Sequence, residues 1–217
     1  MGKHYLIDHQ YLVDNATLHA TMGHLLIFDP SGQEAQVTLT FYFEDHEPES
    51  IQTKVSARTS RESNYSTWPV RPGMRFALEV DSSLPVACQS TIGWNNSGND
   101  YAPKARTHSP FGVRETAKSY MAITRLSKDW YLPDGIVIDC GDRCFVRESE
   151  WAAILNPGPR PVPVELDIVM AGARQHIVEV PARRLRVAYM DDLVQRNKHY
   201  GVHFRSDAPV AASAAGS

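Results

Sequence analysis

The chain has 217 residues, a net charge of -3, 42% hydrophobic and 22% charged residues, an ordinary globular balance that argues against disorder. It lacks the basic excess that marks a nucleic-acid binder, and no apolar run approaches the roughly 20 residues needed to span a bilayer. The three cysteines (Cys88, Cys140 and Cys144) cannot form a fully paired disulfide framework, and the first residues carry no apolar core of a secretory signal, so a reducing cytoplasm is the expected location.

In chain order, Lys3–Asp8 opens the chain and the short apolar run ending at Ile27-Phe28 is followed by Asp29-Pro30-Ser31-Gly32. That tetrapeptide is turn chemistry: the Asx side chain caps the turn, Pro fixes φ and Gly accepts positive φ. Val37, Leu39, Phe41 and Phe43 then alternate with Thr38, Thr40 and Tyr42, the period of two expected of a strand with one buried face. Arg75–Val80 predicts another strand, and Ala87–Trp94 precedes a polar stretch rich in Asn, Gly and Pro over Asn95–Pro110. Ser119–Arg125 reads as a closing strand, although Glu115–Met121 also fits a short helix. Further on, Asn156-Pro157-Gly158 repeats the turn chemistry, Val164, Leu166, Ile168 and Met170 repeat the alternation, and Gln175–Val180 predicts a strand. Met190–Arg196 is a second short-helix candidate, and Ser213–Ser217 reads as a frayed end.

These elements occur twice. Lys3–Asp8 aligns with Asp129–Asp134, Ile27–Pro30 with Ile154–Pro157, Val37–Phe43 with Val164–Met170, Val55–Arg58 with Val180–Arg183, and Ser82–Ala87 with Ser206–Ala211. The offset drifts only from 127 at Ile27/Ile154 to 124 at Pro85/Pro209. Internal repetition with many short strands and regular turns predicts an all-β fold of two related antiparallel β-sandwich (jelly-roll-like) modules in tandem. The expected boundaries are 1–126 and 127–213, with a flexible tail over 214–217. The second module is expected to lack its last strand. An unpaired edge is sticky, so the first module or a neighbouring subunit is expected to fill it, which predicts a homo-oligomer.

The second copy contains Trp130-Tyr131-Leu132-Pro133-Asp134-Gly135, then Glu150–Gly158, Val180-Pro181-Ala182-Arg183-Arg184 and Tyr200–Val210. In that order these segments resemble the sensory rhodopsin transducer family. The resemblance implies a small soluble β-sandwich that assembles as an oligomer, is linked to signalling from a membrane photoreceptor, and has a sandwich like that of carbohydrate-binding modules. Two departures are plain: family members are single modules, and the first copy carries Ser56-Ala57-Arg58-Thr59 in place of Pro-Ala-Arg-Arg.

Two candidate chemistries remain. Trp68, Trp94 and Tyr101 lie near Asn95 and other Asn and Asp residues; aromatic faces that stack on sugars beside side chains that bond hydroxyls suit a polar, carbohydrate-like ligand. Arg184 and Arg186 share one strand face, a solvated surface or an anion-recognising one. The alternative is a metal-dependent enzyme, or a subunit of one, acting on sugar-like substrates. Its ligands would be His19, His24 and His46, since imidazole suits zinc, manganese or iron. Cys140 and Cys144, spaced C-x3-C, lack the further thiols or histidine of a zinc site. No nucleophile elbow, phosphate-binding glycine loop or H-E-x-x-H motif occurs. The leading expectation is a non-catalytic protein without a cofactor that binds a small polar ligand or a signalling partner.

Overall fold

The computed structural model describes residues 2–10, 20–64, 67–70, 74–95, 116–137, 150–170, 172 and 174–216. It is an all-β protein of antiparallel sheets. The chain divides into two compact units, Met1–Phe41 with Glu49–Thr124, and Tyr42–Pro48 with Arg125–Ser217. Among the described residues no helix is long and apolar enough to cross a membrane.

The first unit contains β1 (Gly2–Gln10), β2 (Ala20–Phe28), β3 (Ala35–Phe43), β4 (Glu49–Val55), β5 (Ser60–Asn64), β6 (Arg75–Ser82), β7 (Ala87–Asn95) and β8 (Thr116–Met121). They form two four-stranded sheets, β1-β6-β3-β4 and β5-β2-β7-β8. The alternation read in β3 holds for Val37, Leu39 and Phe41, which are buried with half-buried Thr38 and Thr40 between them, but it ends at Tyr42, expected to face outward and buried instead. The stretch that also fitted a short helix is the strand β8, because its backbone groups are taken by β7 in a ladder from Gln89–Met121 to Trp94–Thr116. Beyond it, Ile123 exchanges two backbone hydrogen bonds with Tyr5, at 2.8 and 3.0 Å, so the closing segment covers the outer edge of β1.

The second unit contains β9 (Ser127–Ile136), β10 (Glu150–Asn156), β11 (Val162–Val169), β12 (Arg174–Val180), β13 (Arg184–Tyr189), a single 3-10 turn at Met190–Asp192, and β14 (His199–Gly216). The 18-residue β14 serves both layers. Its first part lies between β9 and β11, and its last part pairs with β10. Val164, Leu166, Ile168, Val202 and Phe204 from one layer meet Ala152, Ile154 and Ala212 from the other in a single core, the arrangement of a sandwich. The expected tail is not separate: Ala214, Ala215 and Gly216 pair with Ala152, Trp151 and Glu150 within β14, because their backbone groups complete the β10 ladder.

Strand pairing reproduces the duplication residue by residue. Ile27 pairs with Arg61 and Cys88, and Ile154 with Arg186 and Ala212. Ala35 faces Val55 as Val162 faces Val180, and His4 faces Val80 as Trp130 faces Phe204. Register is fixed wherever one sheet face is buried, since a slip of one residue inverts every side chain. Even the backbone strain is repeated: Arg58 and Arg183 occupy the left-handed region at φ 56° and 55° in equivalent turns. Among the described residues the second unit has six strands where the first has eight, with β14 spanning the positions of both β6 and β7.

One buried group makes the first unit sensitive to acid. His4 is buried, and desolvation lowers its pKa below 6.5 despite a hydrogen bond to the Val86 backbone. The folded state therefore resists the proton that the unfolded chain accepts, and the stability present at neutral pH is lost as pH falls below 6.5. His4→Phe is expected to flatten that part of the stability-pH curve, measured by urea unfolding at a series of pH values; an unchanged slope would show that His4 is not responsible.

Candidate ligand-binding face

The outward face of β9, β14, β11 and β12 is built by strand parity. Residues two apart on a strand share a face, so Asp129 and Tyr131, His203 and Arg205, Glu165 and Asp167, and Gln175 and Ile177 come together. Pairing arranges them in two rows across the sheet. One runs Tyr131, His203, Asp167, Gln175 and the other Asp129, Arg205, Glu165, Ile177. Their inward neighbours Val164, Leu166, Val202 and Phe204 fill the core, which makes the platform under the polar face rigid.

Tyr131 is the prominent group. Its side chain is 72% exposed, and its ring lies flat on that of His203, with centroids 4.3 Å apart and planes 9° from parallel. His203 is held in place from its other side: Nε2 is 3.0 Å from an Asp129 carboxylate oxygen. Arg205 donates to Asp167 at 2.7 Å and lies 3.1 Å from Glu165, while Gln175 Nε2 donates to the other Asp167 oxygen at 2.9 Å. Over the second of these rows an open depression of about 450 Å³ is lined by Lys128, Asp129, Glu165, Ile177, Arg205 and Asp207, among others. Four carboxylates against Lys128 and Arg205 leave the surroundings acidic.

Of the residues singled out from sequence as ligand-binding, Trp68, Arg184 and Arg186 are described with their side chains, and they lie off this face. Trp68 is 6% exposed: its ring packs 5.4 Å from Phe41 and 5.8 Å from Phe76, and its N–H donates to Ser63 at 2.6 Å. Its indole serves the core and not an open surface. Trp94 and Asn95 end β7, where Trp94 pairs with Thr21 and Thr116 and Asn95 with Ala20, and their side chains lie outside the described residues, as does all of Tyr101. Arg184 and Arg186 lie on β13 in the second unit, flanking the buried Leu185. Arg184 is engaged by the Glu47 carboxylate, which it holds below the usual carboxylate range, and Arg186 is exposed.

Of the three histidines considered as metal ligands, His19 lies outside the described residues. His24, on β2, pairs with Glu62. His46 groups with the second unit, where it lies 2.6 Å from Asp45 and stacks on Phe43. Among the described residues no group of three or more His, Cys, Asp and Glu side chains is placed to hold a metal ion. Cys140 and Cys144 are also outside them. Cys88 is buried in β7, and desolvation pushes its thiol up to about 12, which leaves too little thiolate for a nucleophile at neutral pH.

Sequence reading missed the Tyr131–His203 face because its members come from four strands between residues 129 and 205. The usable signal was alternation on each strand: Glu165 and Asp167 were legible as outward-facing, but only pairing shows what they face.

No family description and no curated protein matches the chain by sequence. Among solved structures it is similar to Thermotoga maritima 1070, with 16% identity and a TM-score of 0.44 over 57% of this chain and 93% of that one. It is also similar to the Anabaena sensory rhodopsin transducer, with 21% identity and a TM-score of 0.35 over 41% of this chain and 95% of that one. These distant likenesses extend to no ligand, partner or reaction.

Proposed function

We propose that the protein is a non-catalytic binding protein whose β9-β14-β11-β12 face takes a small neutral, carbohydrate-like ligand. The observation that carries this reading is the Tyr131 ring, exposed yet held flat on His203. A rigid ring costs little conformational entropy on binding and offers the apolar surface on which the C–H face of a sugar stacks. Asp129, Asp167, Gln175 and Arg205 extend along the same face with acceptors and donors that are oriented by their neighbours, as hydroxyl recognition requires. The excess of carboxylates disfavours anionic sugars and phosphates, leaving neutral polyols as the fitting class.

The test is a panel of neutral and acidic oligosaccharides, with affinity measured by calorimetry for the ones that bind. Tyr131→Ala is expected to weaken binding of a neutral glycan by roughly 5- to 150-fold, since loss of a stacked ring costs about 1–3 kcal/mol by analogy with base stacking, with the melting temperature unchanged because the ring is exposed. Undiminished binding in Tyr131→Ala, or a preference for acidic glycans, would contradict this function.

A further inference from the structure

We propose that the outer edge of β9 pairs with the same edge of a second copy of this chain, around a two-fold axis passing beside Tyr131. The duplication shows which backbone groups are available. In the first unit Tyr5 faces Glu79 across β6, and its N–H and C=O point the other way, to Ile123. Tyr131 occupies the equivalent position on β9 and faces His203. Its N–H and C=O therefore point outward, and the close stacking of the Tyr131 and His203 rings agrees, because pairs that do not exchange hydrogen bonds bring side chains closer. Among the described residues no strand takes that edge.

The edge is self-complementary. In an antiparallel two-fold pairing, Tyr131 exchanges both hydrogen bonds with the partner's Tyr131, as Tyr5 does with Ile123. The Asp129 N–H, which donates to the Ser127 hydroxyl at 3.2 Å in the single chain, exchanges that bond for one to the carbonyl of the partner's Pro133. The half-buried Trp130 comes opposite the partner's Leu132 on the core side. Proline has no N–H to give, so Pro133 ends the ladder after a few bonds, and the pairing closes as a dimer instead of growing into a ribbon. This two-fold contact sets the two Tyr131 rings side by side on one face and joins two ligand faces into a continuous one. The pairing itself does not depend on what that face binds.

The test uses the full chain in solution. Light scattering is expected to give twice the chain mass for the unaltered protein and the single mass for Tyr131→Pro, which removes the outward N–H together with the exposed ring and leaves the circular dichroism unchanged; Tyr131→Ala removes the ring alone. Tyr131→Ala keeps the backbone bonds and is expected to remain dimeric while losing glycan binding, so the two proposals fail separately. Tyr131→Cys provides a second measurement should the proline variant misfold. Paired residues that exchange hydrogen bonds have Cα atoms about 5.5 Å apart, within disulfide reach, so mild oxidation is expected to give a covalent dimer that the unaltered protein does not form. An unaltered protein that stays monomeric throughout the micromolar range overturns the proposal. So does a folded Tyr131→Pro that remains dimeric, or a Tyr131→Cys that does not cross-link.

Discussion

Exchanging the residues at one duplicated turn is expected to move stability in opposite directions: Asn156→Asp should cost about 3–5 kcal/mol and Asp29→Asn should add about 1–3 kcal/mol. Both side chains are fully or almost fully buried at the end of equivalent strands. Asn156 accepts from the Gly158 N–H through Oδ1 at 3.0 Å, and its Nδ2 donates to the carbonyls of Arg160, Val180 and Pro181 at 2.8, 3.2 and 3.1 Å. It ties two hairpins together with one amide. Asp29 keeps half of that arrangement, accepting from the Ser31 N–H at 2.7 Å, while Oδ2 has no hydrogen-bond partner. A carboxylate has only acceptor oxygens, so at position 156 it would remove the two N–H groups shared among these three carbonyls and bury a charge against them. At position 29 the amide supplies the missing donor. Urea unfolding of the two single variants checks this pair; a loss of stability in Asp29→Asn would show that the turns differ despite their shared register.

Gly135→Ala is expected to destabilise the second unit by roughly 2–4 kcal/mol. A Cβ at this position would lie 2.5 Å from Cζ and 2.7 Å from the hydroxyl of Tyr200, and 2.9 Å from a carboxylate oxygen of Glu150. Tyr200 is part of the core and donates its hydroxyl hydrogen to Glu150, and burial first, then that carboxylate, raises its pKa. The ring cannot swing away without opening the core, and the glutamate cannot retreat without losing the bond. Combining Gly135→Ala with Tyr200→Phe, which removes the hydroxyl, should recover part of the loss, and thermal unfolding of the double-mutant cycle measures that coupling. Fully additive effects would mean that the methyl group clashes with something other than the phenol.

The duplication and the sandwich layers were legible because both rest on patterns the chain carries locally. Val37–Phe43 and Val164–Met170 announce one-faced strands, and their turns at Asp29-Pro30 and Asn156-Pro157 fix where the strands reverse. The stretch around Glu115–Met121 was ambiguous because a short polar segment has no strong period; β7 decides it by offering an open ladder. The alanine-rich end gave no strand signal either, since small side chains carry no alternation, yet β10 needs a neighbour and takes it. The binding face was hidden for a different reason. Tyr131 and His203 appeared only as members of the segments Trp130–Gly135 and Tyr200–Val210; their stacking is a property of the β9-β14 register, which no spacing in the sequence encodes. Conversely, Trp68 drew attention as an aromatic near polar residues, but Phe41 and Phe76 lie within the first unit to bury it.

Where a ligand sits is measured most directly by amide chemical shifts of the labelled protein titrated with a neutral oligosaccharide. The Tyr131 face predicts saturable shifts concentrated on Asp129, Tyr131, His203, Arg205, Asp167 and Gln175, fading toward the opposite layer of the second unit. Shifts confined to the residues around Trp94 and Tyr101, with these six unmoved, would contradict it.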